Sequence, residues 1–201
     1  MKTVVIASNN AHKIDEIRAA LDFEGWEFAS LKEAGVASDP EENAETFEGN
    51  ARIKARAAHE VSGRAVLADD SGLEVDALQG EPGVRSARYA GVHGDDAANN
   101  RKLLEKLAGI PDAERTARFV CALVFVDEDG TELTARGTVE GRIGYEEKGT
   151  EGFGYDPLFL PDDFGGSRTF AEVSQSEKTA ISHRGRALND LKAQIEAQMR
   201  R

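Results

Sequence analysis

Apolar and polar residues alternate along the chain in two distinct rhythms. Thr3-Val4-Val5-Ile6-Ala7-Ser8 is β-branched and closes on Asn9-Asn10, which predicts a buried strand ending in a polar loop. From Lys13 the period lengthens. Ile14, Ile17 and Leu21 fall at helical spacing, so a helix is expected to about Phe23. Trp26–Leu31 reads as a second strand. Phe47, Ala51, Ala55 and Ala58 share one face of a helix expected from about Ala44 to Val61, which Gly63 closes. Ala65–Ala68 is a short apolar strand that runs into Asp69-Asp70-Ser71-Gly72, and extended structure resumes at Leu73–Val75. Residues 79–96 read as loop. Leu103, Leu104 and Leu107 mark a helix that ends at Gly109. Arg118–Val126 and Glu132–Ile143 flank Asp127-Glu128-Asp129-Gly130 and predict an antiparallel hairpin. A glycine-rich loop spans Gly149–Pro157. The last helix is expected from His183 to Met199, with Leu188, Leu191 and Ile195 inward.

Strands alternate with helices and no repeat or linker divides them. This predicts one α/β unit over residues 1–201 with a mixed sheet, two lobes of which would flank a cleft. The 201 residues are 40% hydrophobic, enough for one core or two small ones. The net charge of −12 argues against broad nucleic-acid binding and against an anionic membrane surface. An acidic chain that binds a polyphosphate needs a local basic cluster or a divalent cation. Cys121, the single cysteine, lies in an apolar run and reads as a small buried hydrophobe. The apolar run Val4–Ala7 is too short for a signal peptide or a membrane span, so a cytoplasmic protein is expected.

Five segments carry candidate chemistry. Asp69 and Asp70 stand where an apolar strand meets Ser-Gly. Neighbouring strand residues face opposite ways, so the two carboxylates should have different jobs. One would activate water or hold a metal while the other braces the loop; a solvated turn fits the same residues. Glu41, Glu42 and Glu45 form a second acidic group, which reads either as half of a metal site or as charge favouring the next helix N-terminus. Ser8-Asn9-Asn10-Ala11-His12-Lys13 places backbone N–H groups and an ammonium at a helix start, as a phosphate cradle would, or serves as a plain N-cap. Gly152-Phe153-Gly154-Tyr155-Asp156-Pro157 offers close backbone approach and stacking faces, or a structural turn. Lys178, His183 and Arg184 are cations among Ser and Thr that could meet phosphate or base.

Together these segments resemble the inosine/xanthosine triphosphate pyrophosphatase family of house-cleaning nucleotidases. The resemblance rests on Ala7–Lys13, Thr46–Ala55, Ala68–Leu73, Pro82–Tyr89, Gly152–Pro157 and Glu177–Gly185, in family order and spacing. It implies hydrolysis of purine nucleoside triphosphates with deaminated bases (ITP, dITP, XTP) to monophosphate and pyrophosphate, with Mg²⁺. Carried onto this chain, Ser8, Asn9, Asn10, Ala11, His12 and Lys13 form the phosphate loop. Asp70 is general base and metal ligand, with Asp69 beside it, and Glu42 or the adjacent Glu41 is the other metal-site acid. Lys54 faces the phosphates and Ser71 touches substrate. Phe153, Gly154, Tyr155 and Asp156 enclose base and sugar, and Lys178, His183 and Arg184 complete the pocket. The resemblance also implies an elongated two-lobed α/β protein with a long twisted mixed sheet, and a homodimer. One departure stands out: the family usually has an acidic residue before the asparagine matching Asn50, where this chain has Gly49. Two other readings fit the residues, a nucleotidase for modified pyrimidines and a sensor that binds triphosphates without cleaving them. A substrate panel and a pyrophosphate-release assay separate them.

Overall fold

The computed structural model describes residues 1–200. In chain order it contains β1 (Lys2–Ile6), α1 (Ala11–Ala20), β2 (Trp26–Ser30), α2 (Phe47–Ser62), β3 (Ala65–Val75) and α3 (Asp96–Lys106). These are followed by β4 (Thr116–Val126), β5 (Glu132–Ile143), β6 (Phe159–Pro161), α4 (Gln175–Ile181) and α5 (His183–Met199). The strands make one mixed sheet in the order β2-β1-β3-β4-β5-β6. β1 is parallel to β2 and to β3, and β6 is antiparallel to β5. No helix among the described residues is long and apolar enough to cross a membrane.

The chain divides into two compact units. The first takes Met1–Asp70, Cys121–Gly137 and the segment from Gly185 on; the second takes Ser71–Val120 and Thr138–Arg184. In the first unit, strand alternation separates two apolar layers. Val4, Ile6, Leu67, Cys121 and Leu123 pack with Ile14 and Ile17 of α1 and with Leu188, Leu191 and Ile195 of α5. Val5, Ala7, Val66, Ala68 and Val124 pack with Ala51, Ala55 and Ala58 of α2. The alanine stripe lets α2 lie close to the sheet. In the second unit a single cluster joins Leu73 and Val75 to Leu103, Leu107, Phe119, Val139, Tyr155, Phe159 and Phe170.

Several boundaries differ from the expectation, for local reasons. α1 starts at Ala11 rather than Lys13, because the Asn10 side chain accepts from the Lys13 backbone N–H at 3.2 Å and caps the helix. α2 starts at Phe47 rather than Ala44, because Thr46 caps it by accepting from Gly49 N at 3.1 Å. A Cβ at residue 49 would lie 2.6 Å from Ala44 Cβ, so the acidic residue usual in the family has no room here. β3 runs unbroken through Asp69-Asp70-Ser71-Gly72, where a break was expected. The region 79–96 contains a 3-10 turn at Gly83–Arg88. Neither β6 nor α4 was anticipated, although Ser174 and Glu177 form a capping box whose spacing is legible in the sequence. Ser182 ends α4 as well as preceding α5. The β4–β5 hairpin matches expectation: Asp127 N donates to Thr131 O at 2.8 Å, and Gly130 turns at φ +83°.

Candidate active site

Strand alternation assigns the two aspartates their partners. Leu67 faces the α1 layer, so Asp69, two residues on, faces it too; Ala68 faces α2, and so does Asp70. Asp69 is ion-paired with Lys13 of α1, and its other oxygen accepts from the Cys121 thiol at 3.1 Å. Cys121 is therefore buried as expected and also serves as a donor. On the opposite face Asp70 Oδ1 lies 3.4 Å from Lys54 Nζ of α2, and the same ammonium lies 2.9 Å from Glu42 Oε2. Both aspartates are buried. They are strand residues with charged partners and not the solvated turn that also fitted the sequence.

Parallel strands place this constellation. The chain leaves β1 for β2 on one side, and β3 pairs with β1 on the other. At such a reversal the carboxyl ends of neighbouring strands open a crevice suited to ligands. Ala7 N donates to Leu67 O at 2.8 Å, so the Ser8–Lys13 loop leaves β1 beside the residues that lead into Asp69. Ser8 Oγ accepts from Asn10 N at 3.2 Å and shapes the loop. Asn9, Asn10, Ala11 and His12 are exposed at the N-terminal end of α1, where the helix dipole favours anions.

The electrostatics of the Lys54 group is internally tense. Burial pushes the Asp70 carboxyl above its ordinary 3.8. Lys54 and Lys13 pull it down without cancelling the effect, and Glu42 and Asp69 add to it. Burial also disfavours the Lys54 ammonium, but Asp70 and Glu42 outweigh that and raise its pKa. Asp70 Oδ2 is buried with no hydrogen-bond partner. An unsatisfied buried carboxylate oxygen is costly, so it marks a place for a donor or a cation. No group of three acidic, His or Cys side chains poised for a metal occurs among the described residues. Glu42 and Asp70 are two carboxylates, the number a hard divalent ion takes when phosphates and waters complete its shell. Glu41, by contrast, is exposed.

The second unit holds the other candidate residues. Arg184 Nη2 donates to Ser71 Oγ at 3.2 Å, and Arg184 is buried. The buried Lys178 pairs with Asp156 at 2.5 Å, and its ammonium sits 4.9 Å from the Phe153 ring centroid. Asp156 Oδ2 also accepts from Phe153 N at 2.9 Å, and a Cβ on Gly152 would come within 2.1 Å of it. Asp156 and Lys178 therefore brace the glycine-aromatic loop from within. Tyr155 donates to Ser86 O at 2.8 Å, and burial raises its pKa. His183 stacks on Phe119 with centroids 5.0 Å apart.

Residues 4–194 match the model of the Ham1 family. The chain belongs to the Ham1 family. Its Ham1 relatives include a dITP/XTP pyrophosphatase of Exiguobacterium sibiricum, 54% identical over 192 residues and covering 96% of each chain. A dITP/XTP pyrophosphatase of Cutibacterium acnes is 52% identical over 94% of this chain and 93% of its own. Among solved structures, the Staphylococcus aureus Ham1 protein superposes with a TM-score of 0.89 at 42% identity, covering 98% of this chain and 100% of its own. The α/β fold with a mixed six-stranded sheet is thus a Ham1 fold.

Sequence reasoning missed three groups of this Ham1 chain. Arg115 is fully buried and donates to the carbonyls of Leu107, Ile143 and Gly144. The apolar run around Cys121 signals packing and gives no sign that its thiol donates to Asp69. Asp96 and Asn100 of α3 both bond the backbone of Gly154. Their spacing of four residues on one helix face was the available signal.

Proposed function

We propose that the chain hydrolyses deaminated purine nucleoside triphosphates (ITP, dITP and XTP) to the monophosphate and pyrophosphate. One observation carries the reading: adjacent buried aspartates on one strand face opposite ways, each against its own lysine, at the carboxyl end of a parallel strand pair. The dITP/XTP pyrophosphatases among its relatives support the choice of substrate.

In this proposal Asp70 orients a water and accepts its proton as the water oxygen bonds phosphorus and the bond to pyrophosphate breaks. Lys54, already held between Asp70 and Glu42, stabilises charge on the phosphate oxygens. Asp69 fixes Lys13, and Lys13 with the Ser8–His12 loop receives the phosphates. Mg²⁺ is the proposed ion; Glu42 and Asp70 would hold it, and when bound it neutralises phosphate charge. Ser71, Phe153, Gly154, Tyr155, His183 and Arg184 belong to the base and sugar end, with Lys178 and Asp156 supporting the loop. A donor such as Arg184 toward O6 would reject adenine by leaving polar groups unpaired. We further propose a cytoplasmic homodimer, for which sedimentation should give twice the chain mass.

Product analysis with a nucleotide panel and Mg²⁺ tests the reaction. Pyrophosphate with IMP from ITP is expected, and orthophosphate would point to a different cleavage. Near-equal kcat/KM for ITP and GTP would remove the claimed preference.

A further inference from the structure

We infer that Asp96 and Asn100 on α3 are positioning residues for base specificity, acting by locking the backbone of Gly154. The inference rests on the proposed reading of the Gly152–Asp156 loop as the base-contacting wall.

Both backbone groups of one glycine are captured by a single helix. Asp96 Oδ2 accepts from Gly154 N at 2.7 Å, and Asn100 Nδ2 donates to Gly154 O at 3.1 Å. Asp96 and Asn100 are four residues apart and so lie on one face of α3, a turn from each other. Gly154 turns at φ +63°, a conformation few other residues hold easily. Asn100 is 3% exposed, and its Oδ1 is buried without a hydrogen-bond partner. A buried amide whose oxygen is left unpaired is kept at a cost, so its single bond to Gly154 matters more than packing alone.

The same helix holds the segment that supports the loop from behind. Asn99 accepts from Ala90 N at 2.7 Å and donates to Ala87 O at 3.3 Å, and Lys102 donates to Tyr89 O at 2.5 Å. Ser86 of that segment accepts the Tyr155 hydroxyl and also receives Leu73 N at 2.9 Å. Residues 86–90 and 154–155 are therefore tied to α3 as one block. Asp156, bonded to Phe153 N and Lys178, closes the loop's other end. This gives the Pro82–Tyr89 motif a structural job: it anchors the loop.

The consequence for specificity is physical. A wrong base is penalised only if the wall cannot shift to satisfy it. A loop free to move by an ångström would re-pair its polar groups and accept both bases. Releasing Gly154 should therefore cost discrimination more than it costs turnover.

Isosteric variants make the test. Asn100→Asp removes the donor at nearly constant shape, Asp96→Ala removes the acceptor, and Asp96→Asn keeps an acceptor oxygen. The ratio of kcat/KM for ITP over GTP should fall roughly fivefold to tenfold in Asn100→Asp and Asp96→Ala, mainly through a gain on GTP. Asp96→Asn should keep most of it. Amide exchange across residues 152–156 should quicken in the first two variants and not in the third. Should Asn100→Asp fail to fold, Asn100→Ser reads the same ratio. Equal losses on both nucleotides, or an unchanged ratio in folded variants, would overturn the inference while leaving the hydrolase reading intact. Absence of pyrophosphate release by the unmodified protein would instead sink the hydrolase reading, and the specificity role with it.

Discussion

At the scale of single residues, burial decides what the charges do. Burial raises the pKa of the Asp70 carboxyl against the pull of Lys54 and Lys13, and one of its oxygens has no partner. Asp70→Asn should lower kcat by on the order of 10²–10⁴-fold by removing the proposed base. In the presence of a chelator its thermal midpoint should equal or exceed that of the native chain, since a neutral amide replaces a buried charge. Activity near the native level would remove Asp70 from the role of base. Glu33 illustrates the opposite case. Hydrogen bonds from Ser30 N and Ser30 Oγ, both at 2.7 Å, together with Arg18, hold its carboxyl at about 2, below the ordinary 4.5. A carboxyl depressed by folding stabilises the fold above its unfolded pKa and loses that contribution as pH falls through the folded value. Glu33→Gln should therefore lower the thermal midpoint at pH 7, and the gap should close between about pH 4.5 and 2. A gap constant across that window would show that the charge of Glu33 is not what matters.

At the scale of elements, caps and alternation explain most of what the sequence revealed. Gly63 was legible as the end of α2, and it turns at φ +62° with its N–H bonded to His59 O. Gly63→Ala should cost about 1 kcal/mol in chemical denaturation, because an L side chain is strained there; no loss would mean the helix end relaxes freely. The alanine face of α2 and the Leu–Ile face of α5 were readable from spacing, because one face of each meets an apolar layer. β3 was not readable as one strand. Asp-Asp-Ser-Gly has the composition of a turn, and only lysines on both sides of the sheet allow it to continue as strand. α4 carries little apolar periodicity, because only Ala180 and Ile181 of its seven residues are apolar and its buried Lys178 is paired with Asp156 across the sequence.

At the scale of the whole molecule, the two compact units draw on the same three strands, since β3, β4 and β5 each contribute residues to both. We expect one cooperative unfolding transition, with fluorescence of Trp26 and far-ultraviolet circular dichroism coinciding; two separated transitions would show independent folding. Chelation should abolish turnover and leave the circular dichroism unchanged, because the three apolar clusters close without any ion. A loss of helicity on chelation would make the ion structural instead. The sequence alone determined the succession of strands and helices, the inward faces and the family motifs, because these follow from local periodicity and short-range chemistry. Only the tertiary structure decided which cation meets which carboxylate. Lys13 and Asp69 are 56 residues apart, and Asn100 and Gly154 are 54. Pairings over such separations depend on how strands order themselves in the sheet and on which side each helix lies, and no local pattern encodes that choice.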